Sequence, residues 1–146
     1  MYADYSFYTE TFYGTAISEA DFPRLSSRAS DFIDYYTRGK AAKVTDEDVL
    51  PTLAKCCCAI AEAMQTDEQN KALAAKATAA ALASANGEIK SETVGSWSQS
   101  YATASDYIKS GSASGAVKDA RAAYAAIAQE YLVNTGLLYR GGCLCG

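Results

Sequence analysis

The stretch Ser18-Glu19-Ala20-Asp21-Phe22-Pro23-Arg24-Leu25-Ser26-Ser27-Arg28-Ala29-Ser30-Asp31-Phe32-Ile33-Asp34-Tyr35-Tyr36-Thr37-Arg38-Gly39 decides the fold class. It opens on a helix start signal, Ser18 followed by Glu19 and Asp21, and Pro23 is tolerated only in an opening turn. Phe22, Leu25, Ala29, Phe32, Ile33 and Tyr36 recur at threes and fours, which puts them on one apolar stripe of an α-helix. Arg24, Arg28, Asp31 and Asp34 take the other faces. Arg38-Gly39 then supplies a cation for the last turn and a glycine just beyond it.

Helical patterns continue toward the C-terminus. Thr45, Asp46 and Asp48 offer caps for a second helix whose stripe is Val49, Leu53, Cys57, Ile60 and Met64. Pro51 must lie near its start, since deeper in a helix it would cost about 3 kcal/mol. A further cap signal, Thr66-Asp67, precedes an alanine-rich stretch reaching Asn86-Gly87, so residues 46–86 form either one helix or two. Leu73 and Leu82 lie about 180° apart around the axis, so this stretch carries no single apolar stripe. Its smooth alanine surface suits close helix approach. A last helix runs from about Gly115 to Val133, with Val117, Ala120, Tyr124, Ile127 and Tyr131 in line, and Asn134-Thr135-Gly136 stops it.

The remaining segments follow neither rule. From Glu88 to Tyr101, Ile89, Thr93, Gly95, Trp97 and Tyr101 share one parity, and Lys90, Glu92, Ser96, Ser98 and Ser100 the other. That alternation predicts an extended, β-hairpin-like loop inserted over residues 88–114. Ser110-Gly111-Ser112-Ala113-Ser114-Gly115 reads as a flexible connector within and just past it. Residues 1–17 hold Tyr2, Tyr5, Phe7, Tyr8, Phe12 and Tyr13 at spacings that fit no period, so they predict an extended or irregular aromatic arm. Residues 137–146, opening with Leu137-Leu138-Tyr139-Arg140, predict a loose tail. The expected fold is mainly α: one domain over 1–146, a small bundle of three to four helices with an inserted extended loop and flexible terminal arms.

Composition narrows the function. The chain has 146 residues, 13 basic and 17 acidic, a net charge of −4 and no histidine. Histidine triads, histidine general bases and histidine metal sites are thereby excluded. Alanine supplies 29 residues, while Leu, Ile, Val and Phe together supply 24. A chain so poor in bulky aliphatics builds a thin core of its own and is expected to bury more surface against copies or partners. Before Arg24 there is no base, only Asp4, Glu10, Glu19 and Asp21. With the other charges cancelling, no strongly basic face is expected, which argues against tight phosphate binding. The sequence shows no basic-then-apolar secretory start and no run of about 18 apolar residues, so a soluble, intracellular protein is expected.

Chemistry-bearing residues are few. Cys56, Cys57 and Cys58 fall in a predicted helix, where neighbours point about 100° apart and cannot converge on one ion. Cys143 and Cys145 could offer two thiolates to a soft metal, but a zinc site wants four ligands. Buried thiols in the helix and an incidental pair in the tail are the expectation. Asp46, Glu47 and Asp48 lack the alternate spacing and turn glycine of a calcium loop and read as a capped helix start. Ser96 and Ser98 beside Gly95 form no nucleophile elbow and have no base. No catalytic, cofactor-binding or metal-ligating residue is expected. Candidate partner-binding residues are Tyr5, Tyr8, Tyr13, Trp97, Tyr101, Leu137, Leu138, Tyr139 and Arg140, because exposed aromatic and apolar groups anchor interfaces.

Four segments carry a resemblance: Gly14-Thr15-Ala16-Ile17 leading into Glu19-Ala20-Asp21-Phe22; Arg28-Ala29-Ser30 with Asp34-Tyr35-Tyr36-Thr37; Ser91-Glu92-Thr93-Val94-Gly95-Ser96-Trp97-Ser98; and Thr135-Gly136-Leu137-Leu138-Tyr139-Arg140-Gly141. In this order the chain resembles the head-tail connector, or adaptor, proteins of tailed bacteriophages and prophages. The resemblance implies a mostly helical structural protein in the neck of the virion, made in the bacterial cytoplasm and forming a ring, commonly of twelve copies. It implies docking beneath the capsid portal, extension of the DNA channel without sequence-specific DNA binding, and attachment of stopper or tail proteins below. Chain ends and the long loop commonly serve as docking arms in that family. The cysteine triplet and the length of the alanine-rich stretch lie outside the family pattern. Two other classes fit the residues: a small cytoplasmic thiol- or metal-binding module using Cys143 and Cys145, and a non-viral helical interaction protein.

Overall fold

A computed structural model describes the backbone of residues 1–89 and 113–139 and the side chains of residues 1–83 and 119–139. The protein is mainly helical. Among the described residues the order is α1 (Tyr5–Glu10), α2 (Phe22–Tyr36), a 3-10 turn (Ala41–Lys43), α3 (Leu50–Ile89), α4 (Ala113–Leu132) and a second 3-10 turn (Val133–Thr135), with no strand. The chain divides into two compact units, Met1–Thr66 with Ala122–Gly146, and Asp67–Arg121.

The first unit is built around α2. Its entry is a turn in which Ser18 Oγ accepts from the Asp21 amide at 3.3 Å and donates to Asp21 Oδ2 at 2.8 Å, and Pro23 sits in the first turn, where no amide is needed. Phe22, Leu25, Ser26, Ala29, Ser30 and Ile33 form the buried face. Burying Phe22, Leu25 and Ile33 contributes about 2 kcal/mol each. Phe32 and Tyr36, expected on the same stripe, are half-buried at its margin with their rings 6.0 Å apart and nearly parallel. The helix ends as glycine demands: Gly39 takes φ 75° and its amide donates to Asp34 O at 2.7 Å, satisfying a terminal carbonyl. Arg38 lies past the helix, not in its last turn, and also adopts the left-handed conformation, at φ 56°.

Of residues 1–17, expected as an extended or irregular arm, Tyr5–Glu10 form α1 and the others are irregular. Asp4 caps α1 by accepting from the Phe7 amide at 2.8 Å, and the six residues of α1 lay their rings on the start of α2. The Tyr8 and Phe22 rings lie 4.9 Å apart, Tyr5 meets Phe22 edge-on at 5.7 Å, and Phe12 stacks on Tyr8 at 5.9 Å. Upstream, the Tyr2 amide donates to Ser30 Oγ at 3.1 Å and Ser26 Oγ donates to Ala3 O at 2.8 Å. The Tyr2 hydroxyl reaches Asp34. Sequence periodicity failed here because a single turn and a half of helix, capped and held by ring packing, is too short to show a period.

Residues 46–86 fall on one helix as far as its start at Leu50 permits, since α3 runs unbroken to Ile89. Its first turns bury Leu53, Ala54, Cys56, Cys57, Cys58, Ile60, Ala61 and Met64, a wider face than the expected stripe. In α4 the buried line is Tyr124, Ala128 and Leu132, with Ile127 and Tyr131 half-buried beside it. The Tyr124 ring meets Phe32 edge-on at 5.6 Å, which ties α4 to α2.

In the second unit, every side chain from Gln69 to Ala83 is exposed, including Leu73 and Leu82. Lys71 and Asp67 pair along it at 2.7 Å. Two expectations shift at the borders of the predicted insertion. Glu88 and Ile89 close α3, and Ala113 and Ser114 open α4, because helix continues into both ends of the segment assigned to the extended loop. The hairpin itself, over residues 90–112, lies outside the described residues.

Candidate docking site

The candidate residues separate into three groups. Tyr8 is fully buried, so it serves the core and not a partner. Its hydroxyl donates to Glu62 Oε1 of α3 at 2.7 Å and accepts from the amides of Ala16 at 3.0 Å and Ile17 at 3.2 Å. Burial and the Glu62 carboxylate push its pKa up to about 12. Tyr5 is half-buried against Phe22. Tyr13 stands apart: it is 78% exposed and holds φ 58°, a conformation unfavourable for a bulky residue by about 1 kcal/mol.

Leu137, Leu138 and Tyr139 do not form a loose end. Gly136 takes φ 73° after the 3-10 turn, Thr135 Oγ1 donates to Leu132 O at 2.7 Å, and the Tyr139 amide donates to Gly136 O at 3.1 Å. Lys40 Nζ donates to the Tyr139 carbonyl. The result is a cleft of about 360 Å³ between this turn and the C-terminal end of α2, lined by Tyr36, Thr37, Arg38, Lys40, Leu137, Leu138 and Tyr139. Tyr139 is 67% exposed at its rim. The cleft has partly apolar walls and two cationic side chains, a composition suited to an aromatic or acidic partner group. Trp97, Tyr101 and Arg140 lie outside the described residues.

Sequence reasoning missed Thr37, Arg38 and Lys40 as cleft residues. The available signal was the pair of cations flanking the helix-stopping Gly39, which was read only as a helix terminus.

The cysteine triplet is part of the core. Cys56, Cys57 and Cys58 are each fully buried. Burial, and secondarily Cys57, push the Cys56 and Cys58 thiols from 9.0 up to about 12. Cys57 Sγ donates to Ser26 O at 3.4 Å and lies 3.5 Å from both Ser26 Oγ and Ser30 Oγ. Raised in this way, the Cys56 and Cys58 thiols are poor nucleophiles at neutral pH. Among the described residues no cluster of three or more His, Cys, Asp or Glu side chains could hold a metal ion, and no helix is long and apolar enough to cross a membrane. Cys143 and Cys145 lie outside the described residues.

No known protein family, curated protein or solved structure matches this chain.

Proposed function

We propose that this protein is a structural assembly subunit: a ring-forming head-tail adaptor that seats beneath a capsid portal, continues the DNA channel and offers its far side to stopper or tail proteins, with no catalytic chemistry. The observation that carries the reading is the placement of its aromatic groups. Tyr13, Tyr35 and Tyr139 are 78%, 75% and 67% exposed around a small core, which leaves three aromatic rings available to neighbouring molecules. Tyr139 stands at the rim of a partly apolar cleft, and exposed aromatics of this kind are enriched where a subunit meets its neighbours. The resemblance of the four sequence segments to phage adaptors supports reading those neighbours as sister copies, a portal and tail proteins. The acidic balance of −4 suits a channel through which DNA slides, since each cation on a phosphate adds drag. The thiol-module reading is weaker, because the buried triplet leaves it only Cys143 and Cys145.

Electron microscopy of the purified chain mixed with the portal protein encoded beside it tests the proposal. Stacked rings, the smaller one containing this chain, are the expected result. A chain that stays solitary and ignores the portal overturns it, as does stoichiometric zinc that is lost on changing Cys143 and Cys145 to serine.

A further inference from the structure

Among the described residues, only Tyr13 and Arg38 are non-glycine residues in the left-handed region, and both are exposed. Strained backbone of this kind persists where the rest of the structure imposes it, and it concentrates at sites of function. The two residues occupy opposite ends of α2. Gly14, next to Tyr13, lies against the Tyr8 ring, which packs on Phe22, the first residue of the helix. Arg38 lines the cleft just past Tyr36, the last residue. Fifteen residues at 1.5 Å each separate these ends by about 22 Å, so one copy cannot bring Tyr13 into its own cleft.

The two ends are opposite in charge. The exposed acids nearest Tyr13 in sequence are Glu10 and Glu19, whereas Asp4 is committed to its cap and Asp21 lies 3.8 Å from Arg24. Around the cleft are Arg38 and Lys40, with Lys43 exposed a turn away. The cleft has room for a tyrosine ring and offers a guanidinium on which to stack it.

We propose that Tyr13, flanked by Glu10 and Glu19, docks into the Arg38–Lys40–Tyr139 cleft of a second copy of this chain. The interface rests on the assembly reading above and deepens it. Because knob and cleft are different surfaces, the contact is heterologous: a pair still has one free knob and one free cleft, so copies add head to tail, and the assembly is a ring where the rotation between neighbours closes.

Two variants and their mixture test this. Tyr13→Gly removes the knob and relieves the left-handed backbone, so its thermal midpoint should not fall; Arg38→Glu reverses the cleft's charge and leaves the knob intact. Analytical ultracentrifugation should show self-association of each variant weakened about 30-fold or more, the loss typical of an interface anchor. Mixed together, the two should form a one-to-one dimer and nothing longer, because only one productive knob and one productive cleft are present. Variants that assemble like the wild type overturn this interface and leave the ring reading standing. A wild type that stays monomeric at the highest attainable concentration also overturns it, and co-assembly with the portal then decides the ring reading separately. Longer chains in the mixture overturn the head-to-tail geometry.

Discussion

Gly14→Ala is the sharpest probe of how the N-terminal residues enter the core. A methyl group on Gly14 would stand 2.7 Å from Tyr8 Cδ2 and closer still to Cε2 and Cζ, well inside any tolerated carbon contact. The ring has nowhere to retreat. Phe12 and Phe22 lie on it at 5.9 and 4.9 Å, and its hydroxyl is fixed by Glu62 and the amides of Ala16 and Ile17. Overpacking a rigid site costs about 1–3 kcal/mol, and expelling the ring would cost about 3–5 kcal/mol. The substitution should therefore cost about 3 kcal/mol, which lowers the thermal midpoint by roughly 10 °C for a chain of this size. Urea unfolding followed by far-ultraviolet circular dichroism measures it. In a Tyr8→Ala background the same change should be nearly silent, giving a coupling of about 2 kcal/mol or more. A loss below about 0.5 kcal/mol, or an equal loss in both backgrounds, would refute the packing of Gly14 on Tyr8.

Tyr8→Phe keeps the ring but strands the Glu62 carboxylate and two amides, and should cost about 2 kcal/mol in the same assay; a change under about 0.5 kcal/mol would show that the hydroxyl bonds contribute little. In a Cys143→Ser, Cys145→Ser background, Cys56, Cys57 and Cys58 should resist a thiol reagent at neutral pH until the protein unfolds, and immediate labelling of the native protein would contradict their burial. Folding raises the Cys56 and Cys58 pKa values from 9.0 to about 12 and that of Tyr8 from 10.0 to about 12, so the native state favours their neutral forms. That contribution is complete below pH 9 and is lost as pH rises from about 9 toward 12. The urea midpoint should decline across this window; a flat profile to about pH 11 would count against the shifts.

The amphipathic helices were legible because their signals are local. Phe22, Leu25, Ala29 and Ile33 mark α2 by spacing, Pro51 falls in the opening turn of α3, and Gly136 ends the last helical segment in the left-handed conformation that glycine favours. What escaped the sequence depends on distant residues. Ser26 and Ser30 look like solvent-facing positions, yet both are buried, because Tyr2, Ala3 and Cys57 supply their hydrogen-bond partners from 23 to 31 residues away. Tyr8 looks like a docking aromatic because the carboxylate that accepts its hydrogen bond lies 54 residues downstream. Of the candidate docking residues, Tyr13, Leu137, Leu138 and Tyr139 reach the surface or the cleft. Arg38 and Lys40 complete that cleft only once the chain's last helix returns to α2, a closure that spacing cannot reveal.

The hydroxyl bond between Tyr8 and Glu62 also sets a timetable for biogenesis. Fifty-four residues must be translated between the two partners, which takes about 3–10 s at ordinary elongation rates of about 5–20 residues per second. Throughout that interval the nascent chain carries the Tyr5, Tyr8, Phe12 and Phe22 rings out of the ribosome before their lid exists. Leu132, another fully buried member of the same unit, emerges later still. Slower elongation between residues 8 and 62 lengthens that wait and should raise the demand on chaperones for each chain made.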